Sequence, residues 1–122
     1  MCIRDRCKTE YSTRRAYHVY IFRYAPGFEG VSRDKFIEAL LAEGVCATGG
    51  YPIALNKQPV YQKITPPAGM PPYAEELLPN TETLCRDTIW IAQPCLLGGK
   101  EVGEKIAEAI TKVANNIDEL RA

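Results

Sequence analysis

The chain has 122 residues, enough for one domain or a piece of a larger protein, and enough to bury roughly two thirds of the surface its unfolded form exposes. Hydrophobic residues make up 46% and charged residues 25%, which argues against a disordered chain. Fifteen basic residues balance fifteen acidic ones, so charge gives no general reason to bind nucleic acid or an anionic membrane, and no apolar run is long enough to cross a bilayer.

The opening "MCIRDR", residues 1–6, has no structural pattern and no apolar signal core. It resembles a leader found on reading frames assembled from environmental DNA, where it looks like translated sequencing adapter. A short basic tail is the alternative. Residues 7–15 read as residual linker, and Arg14 and Arg15 as a solvated face or hinge.

"AYHVYIFRY", residues 16–24, is rich in aromatic and β-branched residues and reads as a strand. Tyr17, Val19 and Ile21 point one way; His18, Tyr20, Phe22 and Tyr24 point the other. Both faces are largely apolar, which predicts a strand covered on both sides. "APGFEG" then reads as a turn. Ser32 is a suitable N-cap for the following helix, Asp34 suits its first turn, and Phe36, Ile37, Leu40 and Leu41 form its apolar stripe. Gly44 stands where a C-terminal glycine belongs, and Val45 to Ala47 is a short strand candidate.

Residues 49–72 read mostly as loop, because prolines at 52, 59, 66, 67, 71 and 72 forbid long regular elements. A loop of that length in a compact domain is usually functional or a docking surface. "PYAEELLPN" suggests a short helix, with a further turn through Thr83 to Arg86, and "TIWIA" reads as the third strand. After "LLGG", a helix from Lys100 to Leu120 places Val102, Ile106, Ile110, Val113, Ile117 and Leu120 on one face. Its other face carries Glu101 with Lys105 and Glu108 with Lys112, both at i,i+4. Together these elements predict an α+β fold: a small, three-stranded, mainly antiparallel sheet packed by helices.

Little catalytic chemistry is legible. The five cysteines lack C-x-x-C spacing and there is one histidine, His18, so no metal site is expected. The thiols read as reduced and structural, in a cytoplasmic protein. A Cys-His nucleophile built on His18 has only residue types in its favour. "LLGGKE" lacks the upstream glycine of a phosphate loop, since Pro94 stands there, and Glu101 replaces its Ser or Thr. Glu75 and Glu76 are adjacent and read as solvated. No catalytic residue is assigned.

The loop remains. "AYHVYIFRY", "GVSRDKFIEALLAEGV", "GGYPIALNKQPVY", "PYAEELL", "IWIAQPCLLGG" and "IAEAITKV", in that order, resemble the C-terminal small domain of the DegT-type (StrS-like) sugar aminotransferases, over nearly the whole chain after the leader. "GYP", "QP" and "LLGG" look closest to the subgroup acting on keto-cyclitols, the glutamine:scyllo-inosose aminotransferases. The resemblance implies that residues 16–122 are the C-terminal small domain of a fold type I enzyme dependent on pyridoxal phosphate. The parent enzyme would be a cytoplasmic homodimer that moves an amino group from glutamate or glutamine to a keto-sugar or keto-cyclitol. The cofactor would be held as a Schiff base to a lysine of the missing N-terminal domain. None of the lysines at 8, 35, 57, 63, 100, 105 and 112 lies in a serine-containing motif of that kind, so the isolated chain is expected to hold no cofactor and to be inactive. By the same resemblance, Gly50, Tyr51, Asn56 and Gln58 would face the substrate. Gly49 and Gly50 would allow close backbone approach, Tyr51 would offer a flat face with a hydroxyl tip, and the two amides would bond ring hydroxyls. Many family members carry histidine where Asn56 stands, which leaves the substrate open. The other reading is a stand-alone, non-catalytic module for a small ligand or a protein partner.

Overall fold

A computed structural model describes residues 18–24, 30–73 and 78–121. The leader, the linker with Arg14 and Arg15, the first residues of the predicted strand, most of the "APGFEG" turn, and Glu75 and Glu76 lie outside the described residues.

The strands are β1 (Val19–Arg23), β2 (Ala47–Thr48) and β3 (Thr88–Ala92). They form one antiparallel sheet in the order β1-β3-β2. The longest-range strand is therefore central, with Tyr20 opposite Ile91, Phe22 opposite Ile89 and Ala47 opposite Ile91. Those residues share one face of the sheet. The helices α1 (Arg33–Ala42) and α5 (Gly99–Asn115) pack on it and close a core of Phe22, Phe36, Ile37, Leu40, Val45, Ile89, Ile91, Ile110 and Val113. Tyr24 seals one end. Its ring lies 5.2 Å from Phe36, its hydroxyl donates to the Val31 carbonyl at 2.9 Å, and burial pushes its acidity down, raising the pKa.

The capping signals of α1 act as the sequence predicts. Ser32 Oγ accepts from the Lys35 N–H at 3.2 Å. At the other end Gly44 takes φ +83°, the Gly44 N–H donates to the Leu41 carbonyl and the Val45 N–H to the Leu40 carbonyl. This paired bonding consumes the last carbonyls of the helix and drives Val45 into the core, so β2 begins only at Ala47. Of the predicted stripe, Leu41 is left 51% exposed.

Three expectations are corrected. The outward face of β1 is open, not covered: Ile21 is 48% exposed, because both packing helices take the opposite face. The last helix ends at Asn115, and residues 117–121 continue as a 3₁₀ helix. At the junction Asn116 donates both its backbone N–H, at 3.1 Å, and its side-chain Nδ2, at 2.8 Å, to the Lys112 carbonyl. Ile117 and Leu120 still pack on the core. Finally, Lys112 reaches Glu43 on α1 at 2.8 Å, not Glu108, and the ion pair formed along α5 is Lys100 with Glu104. Tethering α5 to α1 wins over the local i,i+4 pairing because Glu43 sits at the end of the helix it packs against.

The proline-rich segment holds a 3₁₀ turn (Leu55–Lys57) and a single turn α2 (Pro59–Gln62). α3 (Pro79–Asp87) starts with proline in its first turn and runs directly into β3, which α4 (Gln93–Leu96) follows.

Candidate functional site

The loop leaving β2 folds back over the outward side of β3, at Trp90, and leaves Ile21 of β1 exposed. In β3, Ile89 and Ile91 point into the core, so the alternation sends Trp90 to the outside, opposite Ile21 and Thr48. Gly50 rests on that indole with φ +66°, and a Cβ there would stand 2.5 Å from Trp90 Cε2 and Nε1. Both the left-handed backbone and the close approach demand glycine. Tyr51 follows, edge-on to Trp90 with centroids 5.1 Å apart and planes at 87°. The residue is 67% exposed.

Arg33 fastens the root of the loop. Its Nη1 donates to the Gly49 carbonyl at 3.2 Å and to the Cys85 carbonyl at 2.8 Å, and it pairs with Asp34 at 3.0 Å. An arginine in the first turn of a helix opposes the helix dipole. Here it gains one carbonyl in the last turn of α3, that of Cys85, and its guanidinium lies so close to Gly49 that a Cβ would stand 2.9 Å from Cζ.

Asn56 turns inward. It is buried at 8% exposure, and its Nδ2 donates to the Tyr73 carbonyl at 3.1 Å. The Tyr73 ring meets Tyr61 edge-on at 5.7 Å. The loop is thus stapled across its own width. Gln58 is half-buried and precedes α2, with its backbone N–H bonded to the Leu55 carbonyl. Lys57 is taken by Glu82 at 2.6 Å. The structure therefore groups Gly50 and Tyr51 on Trp90 and directs Asn56 to the loop interior. Arg33 and Trp90 were missed by sequence reasoning. A basic residue beside an N-cap and the outward phase of "TIWIA" were the available signals.

Other candidates do not converge. His18 is exposed and, among the described residues, makes no hydrogen bond to a cysteine. No group of three His, Cys, Asp or Glu side chains among the described residues is placed to hold a metal ion. No helix among them is long and apolar enough to cross a membrane. A groove of about 410 Å³ between α1 and α5 is lined by Ala39, Val113 and Leu120, and Lys112 at its rim is held by both oxygens of Glu43. Lys35 bonds the Leu120 carbonyl, and Lys57 and Lys100 are in surface ion pairs. Each of these four lysines is thus engaged by an oxygen of the chain.

Comparisons with known proteins follow the same line. The profile of the DegT/DnrJ/EryC1/StrS aminotransferase family matches residues 3–111, starting within the segment set aside as leader. A protein of Streptoalloteichus tenebrarius named as an L-glutamine:3-amino-2,3-dideoxy-scyllo-inosose aminotransferase is 33% identical, covering 89% of this chain and 29% of the relative. One of the same name from Streptomyces kanamyceticus is 31% identical, covering 88% and 28%. The chain thus spans under a third of the length of these curated relatives. No solved structure matches it. The chain belongs to the DegT/DnrJ/EryC1/StrS aminotransferase family.

Proposed function

We propose that this chain is the C-terminal small domain of an aminotransferase dependent on pyridoxal phosphate, and that its loop forms the substrate side of the active site. The parent moves an amino group from glutamate or glutamine to a keto-sugar or keto-cyclitol. Pyridoxal phosphate supplies the electron sink when bound, on a lysine of the N-terminal domain. This chain's own residues position substrate.

The observation that carries the reading is the loop's construction. A flexible loop would cost ordering entropy on each binding event. This one is set beforehand by Arg33 at its root, by Asn56 across its width and by the seat of Gly50 on Trp90. Tyr51 is left presenting a ring and a hydroxyl to solvent. An apolar ring with a polar tip suits a cyclic polyol, whose axial C–H faces and hydroxyl rim have the same division. In this role Gly50 and Tyr51 meet the substrate, Gln58 offers an amide to a ring hydroxyl, and Asn56 contributes through the shape it gives the loop. The names of the relatives support a cyclitol ketone as substrate and glutamine as donor. The parent is a homodimer in this reading, and it is cytoplasmic.

The test is to extend the reading frame upstream and assay the full enzyme. A frame leading into a domain with a Schiff-base lysine, and a Tyr51→Ala enzyme whose KM for the keto-cyclitol rises about tenfold or more, are expected. A stop codon and ribosome-binding site directly before Met1 would refute the reading. So would an isolated chain that develops a stable visible band with pyridoxal phosphate, lost on borohydride treatment and mapped to one of its own lysines.

A further inference from the structure

Two successive loop residues rest on one indole. Trp90 lies on β3 between Ile89 and Ile91, which are 0% and 1% exposed, so the core holds its strand from the inner side. In the register it stands opposite Ile21 of β1 and Thr48 of β2, so the strand is paired on both flanks at this residue. Its side chain is thus carried by the best-fixed backbone of the sheet. Gly50 approaches the indole too closely for a Cβ, and the Tyr51 ring meets it edge-on, centroids 5.1 Å apart and planes at 87°. An offset stack would hide a face of Tyr51. The edge-on contact restrains the ring and still leaves the residue 67% exposed. Without a neighbour, a side chain so exposed would turn between staggered rotamers.

We propose that Trp90 is a positioning residue of the parent enzyme: it sets the angle of the Tyr51 ring, so that the C–H face of a cyclic polyol ketone meets a ring already in place. The inference rests on the reading of this loop as the substrate side. Trp90 acts through Tyr51 and need not touch the substrate. A ring whose rotamer is fixed beforehand loses less freedom on binding, so the benefit falls on substrate affinity and not on the chemical step.

The contact is tested first in the 122-residue chain, where Trp90 is the only tryptophan. Tyr51→Ala should shift its emission to the red and increase its quenching by acrylamide. Emission and quenching equal to wild type would overturn the proposal, whatever the parent does. The role is tested in the full enzyme with scyllo-inosose as the keto-cyclitol. Trp90→Leu should raise KM about three- to tenfold, the factor that losing one edge-on aromatic pair allows, with kcat within about twofold of wild type. Trp90→Phe, which keeps a ring for the contact, should fall between the two. In a Tyr51→Ala enzyme, Trp90→Leu should raise KM no further, a coupling that a merely structural role would not produce. Should Trp90→Leu fail to fold, Trp90→Phe carries the same comparison. A KM raised by Tyr51→Ala but not by the Trp90 variants overturns the proposal and leaves the substrate-side reading standing. So does a Trp90 effect of equal size in the Tyr51→Ala background. A KM unchanged by Tyr51→Ala itself removes the substrate-side reading, and this inference with it.

Discussion

Replacing Gly50 by alanine tests the seat of the loop. Two penalties combine there. An alanine at φ +66° costs roughly 1 kcal/mol relative to glycine. The added methyl would stand 2.5 Å from the indole, and relieving such overpacking costs about 1–3 kcal/mol. The sum, about 2–4 kcal/mol, lowers the unfolding midpoint on the order of 10 °C for a domain of this size. Circular dichroism reads the midpoint. Trp90 is the only tryptophan, so a shift in its emission reports displacement of the indole. The same change in a Trp90→Ala background separates the two terms. With the ring gone, Gly50→Ala should retain only the backbone cost, giving a coupling of ~1–3 kcal/mol. A Gly50→Ala chain within about 0.5 kcal/mol of wild type, or an equal cost in both backgrounds, would mean that the loop does not sit on Trp90.

Arg33→Ala should destabilise by about 2–3 kcal/mol, since two carbonyls lose a charged donor; amide exchange at residues 49–51 should accelerate first, and unchanged exchange there would remove Arg33 as the fastening. Leu40→Ala, at a position with no exposed surface, should cost ~2–5 kcal/mol, against less than about 0.5 for Leu41→Ala, and denaturant titration of both chains compares them. Asp87 is held below the usual carboxylate range by the Arg86 hydrogen bond, with Arg23 adding to it and partial burial opposing. Its contribution is present above the unfolded carboxylate value and is lost as pH falls through the lower folded one. The stability gap between wild type and Asp87→Asn should therefore close below about pH 4, and a gap constant from pH 7 down through that range would contradict the assignment.

The helix that follows Ser32 and ends at Gly44, the strand "TIWIA" and the apolar face of the last helix were legible because their signals are local. A hydroxyl one residue before a helix, a glycine able to take positive φ and a residue alternation each act within a few positions along the chain. So was the family, through short strings kept in order over most of the length. What tertiary structure decided depends on which surfaces meet. The aromatic pattern of β1 could not reveal that both helices choose the same face, leaving Ile21 and Trp90 outside. Lys112 turned from Glu108 to Glu43 once α1 lay beside α5. Asn56, an amide that composition alone offers to solvent, was drawn inward by a carbonyl 17 positions along the chain. The residues of the loop were written in the sequence; which of them face outward was set by the surface on which the loop lies.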